Sequence, residues 1–182
     1  MRAAFLVLLV AATLGQPDAS PRPERFTAIM NAGPMTPRPT GVDLVIERWG
    51  TTADRDRLSA ALRDGGQPGL AMLLRKEPAS AYIYIQGHER LVSGYVHQAA
   101  LPDGGRHILF LCERRPGEWE LANDTGRTEY LFRIVELTLD ARNRGTGTIY
   151  HTAKADIGAD GIKLVDELSG QPTALLSVRK TK

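Results

Sequence analysis

Four acidic residues surround a tryptophan in a stretch without regular hydrophobic spacing: Glu113, Glu118, Glu120 and Asp124 flank Trp119. Two carboxylates beside an indole can cleave a glycosidic bond, because one acid protonates the leaving oxygen while the ring stacks on a sugar. No motif, however, fixes two of these acids at a defined distance. We therefore assign no catalytic residue, and we keep as the alternative interpretation a secreted hydrolase that uses Glu118, Glu120 and Asp124.

Four histidines raise the question of a metal site. His88, His97 and His107 lie near one predicted hairpin, and His151 lies in a later predicted strand. Zinc binds imidazole nitrogens at about 2.0–2.1 Å, so its ligands must converge. Pairing across the hairpin leaves His97 and His107 roughly 10 Å apart along the strands. The sequence therefore predicts no metal and no cofactor. His151 shares strand parity with Ile149, which directs it inward.

The single cysteine, Cys112, excludes an internal disulfide, so the fold must be stabilised by packing alone. Cys112 shares strand parity with Ile108 and Phe110, and a free cysteine at such a position is typically a small buried hydrophobic residue. A nucleophilic thiol needs a nearby base, and no histidine lies beside position 112. Ser93 lacks the preceding glycine that a nucleophile elbow requires.

Binding of a small molecule needs no sequence motif, since a partly hollow sheet or barrel can hold an apolar ligand. Tyrosines in or beside the predicted strands can line such a hollow or a partner surface, or simply occupy positions that strands favour. We select four candidate ligand-binding residues: Trp119, Tyr130, Tyr150 and His151.

Residues 1–15 have the layout of a secretory signal peptide: one positive charge, an apolar core and small residues before the cleavage site. The apolar core is about half the length that a membrane-spanning helix needs, so we expect no permanent anchor. We favour cleavage after Gly15 over cleavage after Ala12. Three prolines in residues 16–24 indicate an exposed leader. The protein is therefore expected to be exported to the periplasm or the extracellular space.

The charge balance argues against nucleic acid as a partner. The whole chain has 23 basic and 21 acidic side chains, and cleavage after Gly15 removes only Arg2. A nearly balanced chain has no large electrostatic field with which to gather nucleic acid or an anionic membrane.

The rest of the sequence predicts a single β-rich domain over residues 25–182 with a helical insertion at 52–76. Thr51 and Asp54 resemble a capping box at the start of a helix. Gly66 favours a helix end, and the proline at position 68 suits the first turn of a second helix. We therefore predict a helical hairpin.

The other segments alternate apolar and polar residues or are rich in β-branched residues, and turn-forming residues separate them. This pattern predicts an antiparallel meander that forms a bent sheet, a sandwich or an open barrel. Phe132 and Ile134 have the opposite parity to Val135 and Leu137, so we expect the helical hairpin to cover that strand. The predicted strands are 25–32, 42–49, 81–85, 90–100, 106–114, 130–139, 147–157, 161–168 and 174–180.

Five segments resemble a family of small exported bacterial proteins of unknown function: RFTA (25–28), GVDLVIERW (41–49), DRDRL (54–58), PDGGR (102–106) and YLFRIVEL (130–137). The resemblance covers most of the chain after the signal peptide. Its motifs are strands, a helix and a glycine turn, so it implies no activity, cofactor or site residue.

These observations favour an exported, soluble, single-domain protein that binds a small molecule or another component of the cell envelope without catalysis. The sequence leaves open which of the two partners it binds.

Overall fold

The computed structural model describes residues 23–31, 39–88, 90–123, 129–158, 161–168 and 172–181. The predicted signal peptide at 1–15 and the candidate Asp124 lie outside these ranges. In chain order the elements are β1 (Glu24–Asn31), β2 (Thr40–Ile46), α1 (Thr52–Lys76), β3 (Ala81–Ile85), β4 (Leu91–Ala100), β5 (Arg106–Glu113), α2 (Glu118–Ala122), β6 (Phe132–Leu139), β7 (Arg144–Gly158), β8 (Gly161–Glu167) and β9 (Thr173–Thr181).

Eight antiparallel strands form a closed barrel. Neighbouring strands follow the order β6-β5-β4-β3-β2-β1-β9-β7, and the pairing of β6 with β7 closes the ring. The prediction of a mainly β, antiparallel protein with an inserted helical element is confirmed. Among the arrangements that the sequence left open, the sheet adopts the barrel and closes it completely.

The last strand departs from simple meander order. β7 is 15 residues long, and its first part, residues 144–149, pairs with β9, whereas residues 153–158 pair with β8. Because β9 also pairs with β1, it completes the barrel. β8 forms a hairpin with the second part of β7.

Alternate side chains of the barrel strands point inward, as the strand period of two requires. They form one buried apolar cluster, so the barrel interior is a packed core. Its most deeply buried large members, each at most 1 % exposed, include Phe26, Leu44, Ile83, Phe110 and Leu137.

A second apolar cluster lies on the outer surface, where α1 packs over the barrel wall. Leu58, Leu70 and Leu74 of the helix join Phe132 and Ile134 of β6 in this cluster. The first half of β6 is therefore buried on both faces, as its sequence predicts. No helix among the described residues combines the length and the hydropathy needed to cross a bilayer.

α1 begins at the expected capping box, in which Thr51 and Asp54 each accept a hydrogen bond from the other's backbone N–H. The helix is interrupted at Gly66, whose φ of 59° lies in the left-handed region that favours glycine. A Cβ on Gly69 would lie 2.7 Å from the carbonyl oxygen of Ala61, although eight residues of continuous helix span about 12 Å. The chain therefore folds back at Gly66, and the second helical segment packs against the first.

Side chains of α1 also satisfy the free edge of β7. The Gln67 amide donates to the carbonyl oxygen of Ala155 at 2.8 Å and accepts from its N–H at 3.0 Å. Ser59 donates to the carbonyl oxygen of Ile157 at 2.8 Å. These bonds replace those of a neighbouring strand and fix the helix to the β7–β8 hairpin.

Candidate functional site

A cavity of about 280 Å³ opens at the end of the barrel where β1 and β3 finish and β4 and β6 begin. This volume lies just below the range of about 300–1,000 Å³ that is typical of ligand pockets. We call it the mouth cavity, and the described residues that line it are Met30, Ile85, His88, Leu91, Arg133 and His151.

Arg133 places a positive charge on the inner wall of the barrel. Along β6 it has the same parity as Val135, Leu137 and Leu139, which belong to the barrel core. Its Nε–H is sealed from solvent and has no hydrogen-bond partner, and no carboxylate of the described residues forms an ion pair with its guanidinium. A partly buried cation without a counter-ion attracts an anion more strongly than an exposed one, because water screens it less.

Arg106, at the other end of the barrel, shows how this fold neutralises an inward arginine. Its guanidinium donates to both carboxylate oxygens of Glu24, at 2.6 and 3.3 Å, and lies over the Trp49 ring at 5.9 Å. Lys180 also contacts Glu24 at 2.9 Å. Burial raises the pKa of Glu24, but the hydrogen bonds from Arg106 and Lys180 outweigh it and hold that pKa below its ordinary value. The Nε–H of Arg106, like that of Arg133, is sealed from solvent without a hydrogen-bond partner. The two arginines therefore differ in their counter-ion, because Arg106 pairs with Glu24 and Arg133 has no such carboxylate within the described part of the chain.

A β-bulge sets His151 beside Arg133. The register between β6 and β7 shifts between Phe132 and Ile134, so that His151 and the residue after it together face Arg133. Bulges commonly redirect a side chain toward a site. The Nε2 atom of His151 lies 2.9 Å from Oγ1 of Thr173 on β9, and this contact orients the ring.

The electrostatics of the cavity keep His151 neutral at pH 7. Burial lowers the pKa of His151 from its ordinary value of 6.5, and the charges of Arg133 and His88 lower it further. Glu167 acts in the opposite direction but does not line the cavity. Among the described residues that line the mouth cavity, the permanent charge is therefore that of Arg133.

The remaining lining residues provide an apolar wall and a rim. Met30, Ile85 and Leu91 belong to the barrel core and are between 6 % and 8 % exposed. His88 lies exposed in the turn between β3 and β4. The cavity thus combines a cationic end, an apolar wall and two imidazoles.

The acidic candidates of the sequence lie on the short helix α2, outside the mouth cavity. Glu118 and Glu120 are two positions apart, so they point away from each other on the helix. Glu120 forms an ion pair with Arg114 and accepts a hydrogen bond from the N–H of Gly117 at 3.0 Å. Trp119 is 67 % exposed. The described residues of this stretch do not set two acids across a cleft.

Tyr130 and Tyr150 also lie outside the mouth cavity. Tyr130 donates to Asp166 at 2.5 Å, and this bond raises the pKa of its hydroxyl. Burial raises the pKa of Tyr150, whose hydroxyl lies 3.4 Å from Glu136. Of the four candidate ligand-binding residues, the structure brings only His151 to the mouth cavity.

Cys112 is buried in the barrel core at 1 % exposure, as its strand parity predicts. Burial raises the pKa of its thiol to about 12, which keeps it protonated and unreactive at neutral pH. Within the described residues, no three His, Cys, Asp or Glu side chains are grouped so that they could hold a metal ion.

A larger groove of about 420 Å³ lies outside the barrel between α1 and β4. Glu113 in this groove pairs with Arg75 at 2.6 Å and with Arg115 at 3.7 Å. Both arginines thus contact a carboxylate that the chain itself supplies, and an anionic ligand in this groove would have to compete with it.

Sequence reasoning missed Arg133, although a signal was present. Four inward positions of one strand read Arg133, Val135, Leu137 and Leu139. A charged residue at the end of an apolar inward series marks the point where a barrel core meets solvent.

Comparisons with known proteins identify no relative, since no protein-family model, curated protein or solved structure matches the chain.

Proposed function

We propose that this protein is an exported binding protein that holds a small molecule in the mouth cavity and catalyses no reaction. One observation supports the proposal above all: Arg133 and His151 end an otherwise apolar core in a concave space. A partly buried charge without a partner lowers stability. Natural proteins tolerate such a cost mainly where a function needs the residue.

The shape of the site favours a small molecule over the other partner that the sequence left open, an envelope protein. A stable protein contact buries about 800 Å² on each partner. Among the described residues, the exposed large apolar side chains are instead distributed over seven elements and include Ile29, Met72, Trp119, Val165 and Leu176. A concave cavity, by contrast, surrounds a small ligand on several sides.

The geometry does not favour the hydrolase alternative. The carboxylate of Glu120 is already held by Arg114 and by the N–H of Gly117, so it is not free to donate a proton to a leaving group. The near-balanced charge of the chain likewise supports a ligand other than nucleic acid.

NMR with a mixture of small neutral, cationic and anionic organic compounds tests the proposal. We expect chemical-shift changes at the amides of Ile85, His88, Leu91 and His151. The variant His88→Trp fills the rim and should abolish these changes. Gln86→Trp is the matched control, because Gln86 is exposed in the same turn but does not line the cavity. Shift changes elsewhere, or changes that survive His88→Trp, contradict the proposal.

Export is tested separately by mass spectrometry of the protein isolated from its host. The mature chain should begin at Gln16, or at Thr13 if cleavage follows Ala12, and it should be found outside the cytoplasm. Recovery of intact chain beginning at Met1 from the cytoplasmic fraction would argue against export.

A further inference from the structure

We infer that the ligand of the mouth cavity is a small monocarboxylate with an apolar body, whose carboxylate contacts the guanidinium of Arg133. This inference rests on the proposed function, since it names the chemical class that the same cavity selects. Three features of the cavity support it, namely its charge, the accessible part of Arg133 and its apolar wall.

The charge of the cavity selects a single negative charge. Arg133 is the lining residue that is cationic at every physiological pH, and no carboxylate of the described residues pairs with it. One carboxylate neutralises one guanidinium, whereas a phosphate dianion leaves an excess charge in a partly buried space. Neutral His151 adds a hydrogen-bonding group without adding charge.

The sealed Nε–H of Arg133 determines which side of the guanidinium a ligand can reach. Since Nε has no contact with solvent, an incoming carboxylate meets the two terminal Nη groups. These groups present parallel N–H donors that match the two oxygens of a carboxylate. Arg106 makes an analogous two-oxygen contact with Glu24 through Nη1 and Nη2, so the same geometry already occurs in this barrel.

The wall of the cavity can contact the apolar body of the ligand. Met30, Ile85 and Leu91 offer an apolar surface that continues the barrel core. A volume of about 280 Å³ corresponds to roughly nine water molecules at about 30 Å³ each. This space suits a short alkyl chain or a single ring.

Titration with three matched probes at pH 7 tests the inference. Hexanoate, hexan-1-ol and hexylamine each contain six carbon atoms in an unbranched chain and end in a negative, neutral and positive head, respectively. We expect hexanoate to bind at least about tenfold more tightly than the other two, as a charge-assisted pair implies. Arg133→Gln should reduce hexanoate affinity by a similar factor. Arg142→Gln, at the far end of β6, removes the same charge from an exposed turn and should leave the affinity unchanged.

The outcomes separate this inference from the proposed function. If all three probes shift the mouth amides equally and Arg133→Gln has no effect, the carboxylate class is wrong while small-molecule binding stands. Inorganic phosphate that binds more tightly than hexanoate also overturns the carboxylate. If no probe shifts the mouth amides, both proposals fail. If Arg133→Gln does not fold, Arg133→Lys takes its place in the titration. Arg133→Lys keeps the positive charge but loses the paired N–H donors, so it should weaken hexanoate binding only in part.

Discussion

Replacement of Arg133 by methionine should make the ligand-free protein more stable. Methionine retains the length and apolar packing of the arginine stem but removes the charged head. The sealed Nε–H of Arg133 has lost its water without gaining an acceptor. Because an unsatisfied buried polar group costs about 1–3 kcal/mol and the rest of Arg133 is only partly buried, we expect a gain of about 1–2 kcal/mol.

Urea unfolding and thermal melting measure this gain directly. For a domain of this size, each kcal/mol corresponds to about 2–4 °C in Tm, so Arg133→Met should raise Tm by roughly 2–8 °C in the absence of ligand. The slope of the urea transition should not change, since the area exposed on unfolding stays the same. Arg142→Met is the control for loss of one positive charge, and as an exposed substitution it should stay within about 0.5 kcal/mol of the unmodified protein.

The same substitution at the opposite end of the barrel should have the opposite sign. Arg106→Met leaves the partly buried Glu24 with Lys180 as its remaining basic contact. We expect a loss of about 1–3 kcal/mol, below the full cost of breaking a buried pair, because both groups retain some solvent contact. If Arg133→Met also destabilises the protein by more than 1 kcal/mol, Arg133 stabilises the fold, and the reasoning that it is held for a ligand is refuted.

Three further predictions concern the fold. Gln67→Ala should lower the free energy of unfolding by about 1–3 kcal/mol, because it removes both side-chain hydrogen bonds to Ala155. Hydrogen exchange at the Ala155 amide should accelerate in this variant, and an unchanged exchange rate would count against the contact. Burial raises the pKa of Asp54, but hydrogen bonds from Thr51, Arg57 and Arg48 outweigh it and leave that pKa well below its ordinary value of 3.8. Because the folded-state pKa is depressed, Asp54 contributes stability above about pH 4 that is lost as the pH falls further. The difference in free energy of unfolding between the unmodified protein and Asp54→Asn should therefore shrink as the pH falls below about 4. A difference that stays constant would refute this role of Asp54. Cys112 should resist thiol reagents in the native protein at pH 8 and react fully in denaturant, whereas rapid native labelling would contradict its burial.

Local patterns in the sequence predict most of the secondary structure. The predicted strand at 81–85 matches β3, and the helical insertion at 52–76 matches α1. The period of two in a strand and the capping residues of a helix are properties of neighbouring residues. For the same reason the burial of Cys112 and the double coverage of Phe132 and Ile134 could be predicted before the barrel was known.

The closure of the barrel could not be predicted in this way. Closure depends on the pairing of β9 with β1 and of β6 with β7. The alternation of apolar and polar residues in a strand indicates which face is buried, but it does not indicate which strand lies beside it. The pairing of β9 with β7 instead of β8 depends on the length of β7, whose first part remains free to accept a second partner.

The candidate site likewise depends partly on local sequence and partly on tertiary structure. The sequence by itself determined that Arg133 has inward parity and that His151 points toward the interior. Only the tertiary structure decided that the two meet, since the β-bulge in β7 and the end of the barrel bring residues 18 positions apart to one cavity. Tertiary structure also decided that Arg106 pairs with the carboxylate of Glu24, whereas Arg133 pairs with no carboxylate among the described residues. Parity is a property of each strand alone, whereas the counter-ion of a buried charge is decided by strands that are distant in sequence and adjacent in the sheet.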